Sequence, residues 1–160
     1  MTPKIANYEI VFQEFPDEVI LALNFSGCPN RCPGCHSVYL QSDHGVIATD
    51  TYIHAMIDSR RDEITCVGLM GGDAYPDEIC RIASYIHSKW PHLKVGWYSG
   101  TDRKIEDIIS QFDVTYLDYI KIGSYKQECG PLDNPNTNQH LYMKVGEDWE
   151  DITYKFWKNT

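Results

Sequence analysis

Short apolar runs alternate along this chain with segments that carry a helical apolar stripe, and this alternation constrains the fold most. Residues 19–23 are continuously apolar, which is typical of a strand that is covered on both faces. A helix is predicted to begin at Thr49 or Asp50, because either side chain can cap the free amides of a first turn. The pattern then repeats, with strands predicted at residues 64–70, 93–98 and 116–122, and with helices at residues 77–90 and after Asp102 as a cap. Strands and helices in this order indicate right-handed βαβ units and a parallel sheet.

The length of the chain limits how far such a sheet can close. A complete eightfold (β/α) barrel needs roughly 200–250 residues, and this chain has 160. Residues 5–12 alternate loosely and are predicted to form an edge strand. Since no repeat, low-complexity tract or flexible linker divides the sequence, we expect residues 1–160 to form a single domain. The expected fold class is therefore α/β, either an open partial (β/α) barrel of parallel strands or a doubly wound sheet.

Composition and charge exclude several classes of function. The formal net charge is −9, which opposes binding to the phosphates of nucleic acids. The sequence has neither an amino-terminal apolar run of signal-peptide length nor a stretch near the ~20 apolar residues of a membrane span. We therefore expect a cytoplasmic protein that binds neither nucleic acid nor membrane. In that reducing compartment, the six cysteines of the chain indicate metal or redox chemistry rather than disulfides.

Three of the cysteines, Cys28, Cys32 and Cys35, lie close together in a C-x3-C-x2-C spacing. Glycines and prolines beside them favour the sharp turns that let several thiolates converge on one point. Three thiolates suit a cubane iron–sulfur cluster with one iron left open to another ligand, whereas a ferredoxin closes all four positions with cysteine. The spacing therefore predicts a cluster with an open iron.

Two other uses of these cysteines are weighed against the cluster. A structural zinc site could combine the three thiolates with His36 as the fourth ligand. Cys35 and His36 are adjacent, however, which makes tetrahedral convergence awkward. Ordinary buried or disulfide-bonded cysteines are the other alternative, although packing does not explain three thiols this close together.

A glycine-rich or polar turn follows each predicted buried strand. After the cysteine segment, which follows the first strand, these turns are Gly71-Gly72-Asp73, Ser99-Gly100 and Gly123. Ligands of parallel α/β folds bind at the carboxyl ends of the strands, so the turns are expected to surround one site. Lys121, near the end of the fourth strand, would either point toward that site or extend its ammonium into solvent past the sheet edge.

The cysteine segment and the turns together resemble a known family. Residues 26–36, Ser-Gly-Cys-Pro-Asn-Arg-Cys-Pro-Gly-Cys-His, followed by a Gly-Gly-acidic turn after the second strand, resemble the radical S-adenosylmethionine superfamily. Residues 97–100, Trp-Tyr-Ser-Gly, and residues 137–139, Thr-Asn-Gln, are similar to those of the anaerobic ribonucleotide reductase activating proteins. The resemblance runs from about residue 19 to residue 141. It implies an open partial barrel of the radical S-adenosylmethionine type.

The resemblance also implies two cofactors, a [4Fe-4S] cluster on Cys28, Cys32 and Cys35 and S-adenosylmethionine on its open iron. The implied contacts to S-adenosylmethionine are Gly34, Cys35 and His36 on the adenine side, Gly71, Gly72 and Asp73 at the amino group, and Ser99 and Gly100 at the ribose, with Lys121 as a candidate for the carboxylate. Asp73 stands where the family usually has Glu, and Ala74 where Pro is common. The shorter acid would have to sit closer to the ligand or act through water. No side chain is assigned as a catalytic acid, base or nucleophile.

The activity implied by the resemblance is the generation of a glycyl radical. One electron would cleave S-adenosylmethionine to methionine and a 5′-deoxyadenosyl radical, which would take a hydrogen atom from a glycine in the large subunit of an anaerobic ribonucleotide reductase. A flavodoxin- or ferredoxin-type protein would supply the electron. The short chain favours a protein substrate, because a barrel that lacks strands leaves a wide opening. Alternatives are a radical S-adenosylmethionine enzyme that acts on a small molecule or peptide, and a zinc-stabilised binding module.

The remaining cysteines are not assigned to the metal site. Cys66 lies in an apolar strand and Cys80 beside a helical stripe, so both are predicted to be core residues. Cys129, in a polar segment next to a Gly-Pro pair, is expected to be more exposed.

Overall fold

The computed structural model describes residues 3–27, 44–124, 126 and 128–157. The strands of this part of the chain are β1 (Lys4–Val11), β2 (Ile20–Phe25), β3 (Val46–Ile47), β4 (Cys66–Met70), β5 (Lys94–Tyr98), β6 (Tyr119–Ile122), β7 (His140–Val145) and β8 (Asp148–Asp151). The helices are α1 (Asp50–Asp58), α2 (Pro76–Lys89) and α3 (Ile105–Gln111), and a 3-10 helix spans Thr153–Phe156. All eight strands join one sheet, in the order β3-β1-β2-β4-β5-β6-β7-β8.

The four central strands are parallel, and the strands on both sides of them are not. β2, β4, β5 and β6 pair in parallel register. β1 pairs antiparallel with both β2 and β3, so it is not the edge strand that its loose alternation predicted. On the other side, β6, β7 and β8 are antiparallel to one another.

The predicted fold class, an open partial (β/α) barrel of parallel strands of the radical S-adenosylmethionine type, is therefore wrong. The fold is a mixed eight-stranded sheet with three short helices in the described part of the chain. The apolar runs predicted the positions of the central strands, but an apolar run carries no information on the direction of its neighbours. The antiparallel hairpin of β7 and β8, which no prediction included, extends the sheet where a barrel would need another βαβ unit.

All three helices pack on one face of the sheet. The buried stripe of α1 consists of Ile53, Met56 and Ile57, as predicted, and it joins one apolar core with α2, α3 and the residues of the parallel strands that point the same way. The cap of α1 is confirmed, since the hydroxyl of Thr49 accepts a hydrogen bond from Tyr52 N over 3.1 Å. The prediction that Asp102 caps α3 is wrong, because α3 begins only at Ile105. Asp102 instead accepts hydrogen bonds from the backbone and the side chain of Ser124.

The opposite face of the sheet is covered by the β1–β2 connection and by the 3-10 helix. Phe15 is fully buried there and stacks on Tyr119, with ring centroids 4.8 Å apart. A Cβ atom at Gly96 would lie 2.2 Å from the ring of Phe15, so only glycine lets the ring approach the strand this closely. This packing fixes the β1–β2 connection against the centre of the sheet.

A buried carboxylate fastens the amino-terminal ends of the parallel strands. Glu18 is 7% exposed and accepts hydrogen bonds from Thr65 Oγ1 and Tyr119 OH, each over 2.7 Å. Lys94 Nζ lies 3.1 Å from the same carboxylate. Burial and the Glu18 carboxylate raise the pKa of Tyr119, so its hydroxyl remains a donor. The site described next lies at the other end of these strands.

Among the described residues, no helix is long and apolar enough to cross a membrane.

Candidate functional site

The turns singled out from the sequence lie at the carboxyl ends of the parallel strands. Because β2, β4, β5 and β6 run in the same direction, the residues that follow them share one edge of the sheet. Part of the predicted cofactor site lies outside the described residues, namely Cys28, Cys32, Gly34, Cys35 and His36. The geometry of the site is therefore built from the turns after the other three strands and from the two ends of the cysteine segment.

Ser26, directly after β2, joins the two ends of the cysteine segment. Its side chain is 3% exposed, and its hydroxyl donates to the carbonyl oxygen of His44 over 2.5 Å. The same hydroxyl accepts a hydrogen bond from His44 N over 3.1 Å, while Ser26 N donates to Lys4 O on β1. Ser26 and His44, which lie on either side of residues 28–43, are therefore held together at the carboxyl end of β2. Sequence reasoning included Ser26 in the motif but gave it no role.

Asp73 joins the turn after β4 to the turn after β5. Its Oδ1 accepts a hydrogen bond from Ser99 Oγ over 2.5 Å, and its Oδ2 accepts one from Gly100 N over 2.9 Å. Bonds from a hydroxyl and an amide to a carboxylate are charge-assisted and stronger than neutral ones. Three residues that the sequence assigned to one site are thus brought into direct contact. In this arrangement both oxygens of Asp73 accept hydrogen bonds from the neighbouring turn.

The two glycines before Asp73 form a backbone turn that side chains would strain. Gly71 and Gly72 have φ angles of +93° and +80°, in the left-handed region that favours glycine. The indole of Trp97, which is 2% exposed, donates to Gly71 O over 2.8 Å, and Gly71 N donates to Tyr98 O over 2.9 Å. Trp97 therefore holds the turn from the helix side of the sheet. The sequence matched Trp97 to the family but did not assign it to the site.

Lys121 is buried at the end of β6. The side chain is 7% exposed, and its ammonium donates to Ser99 O over 3.1 Å and to Gly123 O over 3.0 Å. The same ammonium lies 5.4 Å from the ring centroid of Tyr98. Extension into solvent past the sheet edge, one of the two alternatives for this side chain, is therefore wrong. Lys121 places a positive charge beside the turns after β5 and β6.

Residues 137–139, the third segment that the sequence analysis singled out, pack against the end of β6. Gln139 donates through Nε2 to Gly123 O over 3.3 Å, and Asn138 donates through Nδ2 to Ser124 O over 2.9 Å. Within the described part of the chain, the buried Oδ1 of Asn138 has no hydrogen-bond partner. These residues therefore support the turn after β6 from the β6–β7 connection.

Two of the cysteines outside the motif are buried in the apolar core. Cys66 and Cys80 are buried, as predicted, and burial raises the pKa of both thiols, that of Cys80 to about 11. Iron binds the thiolate, so such thiols are poor ligands. Among the described residues, no group of three or more His, Cys, Asp and Glu side chains could hold a metal ion. Cys28, Cys32 and Cys35 remain the predicted ligands of a metal centre, and they lie outside the described residues.

These observations define a class, a sheet protein in which the residues on either side of the cysteine segment meet where the parallel strands end. A family model described as a 4Fe-4S single cluster domain matches residues 19–138, which is three quarters of the chain. The chain belongs to this family, and the match supports an iron–sulfur cofactor. No curated protein and no solved structure matches the chain.

Proposed function

We propose that the chain is a radical S-adenosylmethionine activating enzyme that acts on an anaerobic ribonucleotide reductase. The observation that carries the proposal is the junction of Asp73 with Ser99 and Gly100. It joins a Gly-Gly-acidic turn to the next turn along the same edge of the sheet, beside the fixed ends of the cysteine segment. The family match supports the iron–sulfur part of the proposal.

Cys28, Cys32 and Cys35 would hold a [4Fe-4S] cluster by three of its irons. When bound, this cluster supplies an open iron for S-adenosylmethionine and the electron that splits it into methionine and a 5′-deoxyadenosyl radical. A flavodoxin- or ferredoxin-type donor would provide that electron. Gly34 and His36, which flank the third cysteine, would lie on the adenine side of the ligand.

The turn after β4 would receive the amino group of S-adenosylmethionine. Gly71 and Gly72 lack side chains that would hinder approach to the backbone, and their carbonyl oxygens can accept hydrogen bonds from an ammonium. Trp97 fixes the carbonyl of Gly71 and so orients the turn. The carboxylate of Asp73 would add a favourable negative charge, while its two hydrogen bonds hold the turn after β5 in place.

The turns after β5 and β6 would bind the remainder of the ligand. Ser99 and Gly100 would face the ribose, because they follow β5 on the same edge. Lys121 would contribute electrostatic attraction to the carboxylate of S-adenosylmethionine, since its ammonium is already held at this edge by Ser99 O and Gly123 O. The ligand would thus lie between an acidic turn and a buried cation.

The substrate reaction would transfer one hydrogen atom. The 5′-deoxyadenosyl radical would take hydrogen from a glycine Cα of the reductase, which leaves 5′-deoxyadenosine and a glycyl radical. The balance is one electron, one S-adenosylmethionine and one glycine residue consumed, and one methionine, one 5′-deoxyadenosine and one glycyl radical formed. No acid or base is required from the chain.

Anaerobic reconstitution with iron and sulfide tests the proposal. We expect iron and sulfide in the ratio of a cubane cluster, an electron paramagnetic resonance signal of the reduced protein that changes on adding S-adenosylmethionine, and 5′-deoxyadenosine as a product. Cys28→Ala, Cys32→Ala and Cys35→Ala should each lose the cluster. Cys129→Ala is the matched control, because that thiol lies outside the motif, and it should retain the cluster.

The outcomes separate the alternatives. Zinc as the metal of the anaerobically purified protein, with no iron, would reject the enzyme in favour of a zinc-stabilised module. Formation of 5′-deoxyadenosine without a glycyl radical on the reductase would reject the protein substrate and indicate a small molecule or peptide. An unchanged spectrum on adding S-adenosylmethionine would reject binding at the cluster.

A further inference from the structure

An open cleft of about 750 Å³ lies on the face of the sheet opposite the helices. Its walls come from the β1–β2 connection, the β6–β7 connection and the 3-10 helix. Tyr98, the last residue of β5, lines the cleft and donates its hydroxyl to Glu14 O over 2.6 Å. This bond and the buried ring of Phe15 hold that wall of the cleft against the sheet. Its volume is within the range of sites that bind ligands.

The cleft carries more negative than positive charge. Three acidic residues, Glu14, Asp17 and Asp133, line it, together with one basic residue, Lys155. Among the described residues, none of the three acids forms an ion pair, in contrast to the neighbouring Glu18, which is paired. The negative charge of the cleft is therefore available to an external cation.

Apolar residues also line the cleft. Phe12 is 64% exposed, and Phe156 and Leu132 line the same space. Large apolar side chains that lie beside unpaired charges are typical of surfaces that bind other proteins. The cleft thus offers both apolar contact and electrostatic attraction.

We infer that this cleft binds an extended segment of a partner protein in which Lys or Arg side chains alternate with apolar ones. Charge complementarity selects this occupant. The net charge of −9 opposes a second copy of the chain, and the acids oppose nucleic acid and anionic membranes. The identity of the partner rests on the proposed function, since Tyr98 directly precedes Ser99 and a segment in the cleft would reach the turn proposed to bind S-adenosylmethionine.

Binding of a labelled peptide to the full chain tests the inference without requiring turnover. The probe is an eight-residue peptide with two arginines and two leucines separated by glycines, and its counterpart carries glutamates in place of the arginines. Fluorescence anisotropy should show binding of the arginine peptide that weakens as salt is raised, with the glutamate peptide at least about tenfold weaker. The readout does not depend on S-adenosylmethionine, so it can fail or succeed separately from the proposed function.

Charge reversal locates the binding. Asp17→Lys combined with Asp133→Lys should weaken the arginine peptide about tenfold at low salt, whereas Asp62→Lys, an exposed acid outside the cleft, should leave it within about twofold. Asp133→Lys alone gives a second test, because Asp17 has a φ angle of +65° and its replacement could disturb the turn. Equal binding of both peptides, no binding of either, or equal losses in the cleft and control variants would overturn the inference.

Discussion

Replacing Ser99 by Ala tests whether the hydrogen bond to Asp73 holds the two turns together. The substitution removes a buried hydroxyl that donates to Asp73 over 2.5 Å and accepts from Thr101 N over 3.1 Å. A hydrogen bond to a charged partner contributes about 1.5–3 kcal/mol, so Ser99→Ala should lower the free energy of unfolding by this amount. With the slope typical of small proteins, the urea midpoint should fall by about 1 M.

The assay is urea unfolding followed by tryptophan fluorescence, with all proteins in the same cluster state. Ser88→Ala is the matched control, because its exposed hydroxyl donates only to Tyr85 O, and it should change stability by less than about 0.5 kcal/mol. A double-mutant cycle of Ser99→Ala with Asp73→Ala should give a coupling energy of about 1.5 kcal/mol. A coupling below about 0.3 kcal/mol, or equal midpoints for Ser99→Ala and Ser88→Ala, would refute the reasoning.

Three further predictions concern the turn after β4, the opposite end of the sheet and a buried thiol. Gly71→Ala should lower the free energy of unfolding by about 1–2 kcal/mol, because of the positive φ at that position alone. Gly72→Ala should lower the free energy of unfolding more, because its new Cβ would also lie 2.5 Å from an atom of Ile79. Equal losses for the two variants in urea unfolding would contradict this prediction. Tyr119→Phe should lower the free energy of unfolding by about 1.5–3 kcal/mol, because Glu18 would lose a charge-assisted hydrogen bond inside the protein. An unchanged midpoint in thermal or urea unfolding would show that this bond contributes nothing. For Cys80, the pKa of about 11 leaves about one thiol in a thousand ionised at pH 8. The rate of its alkylation by iodoacetamide, measured by mass spectrometry, should therefore rise about tenfold per pH unit from pH 8 to 10. A rate that is half-maximal near pH 8.5 would disprove the raised pKa.

The central strands and the helices could be predicted because their patterns depend on local burial. The run at residues 93–98 became β5, and the stripe at residues 77–90 became α2, each within about one residue at either end. The hairpin of β7 and β8 was missed because most of its residues are half-buried or exposed and form no apolar run. The signal that could have found it is the two-residue loop at 146–147, which begins with a glycine of positive φ between alternating strands.

The candidate site was predicted as a set of turns, and its internal contacts were not. The parallel direction of the strands was sufficient to bring Asp73, Ser99 and Gly100 to one edge. The partner of Asp73 depends on the register that pairs Met70 with Tyr98 and on the length of one side chain, neither of which a sequence pattern contains. Trp97 was missed for the same reason, because a buried tryptophan in an apolar strand gives no sign of which carbonyl its indole will meet.

The contact between Ser26 and His44 has a consequence for how much the cysteine segment can vary in length. The chain leaves the sheet and returns to it at one hydroxyl, so the distance that residues 28–43 must span is set by the flanking residues. Loop-closure entropy grows only slowly with length, and doubling such a segment costs about 0.6 kcal/mol. Insertions between the last cysteine and residue 43 should therefore leave the sheet nearly as stable as before. The surroundings of the proposed metal ligands can thus change during evolution while the sheet stays unchanged.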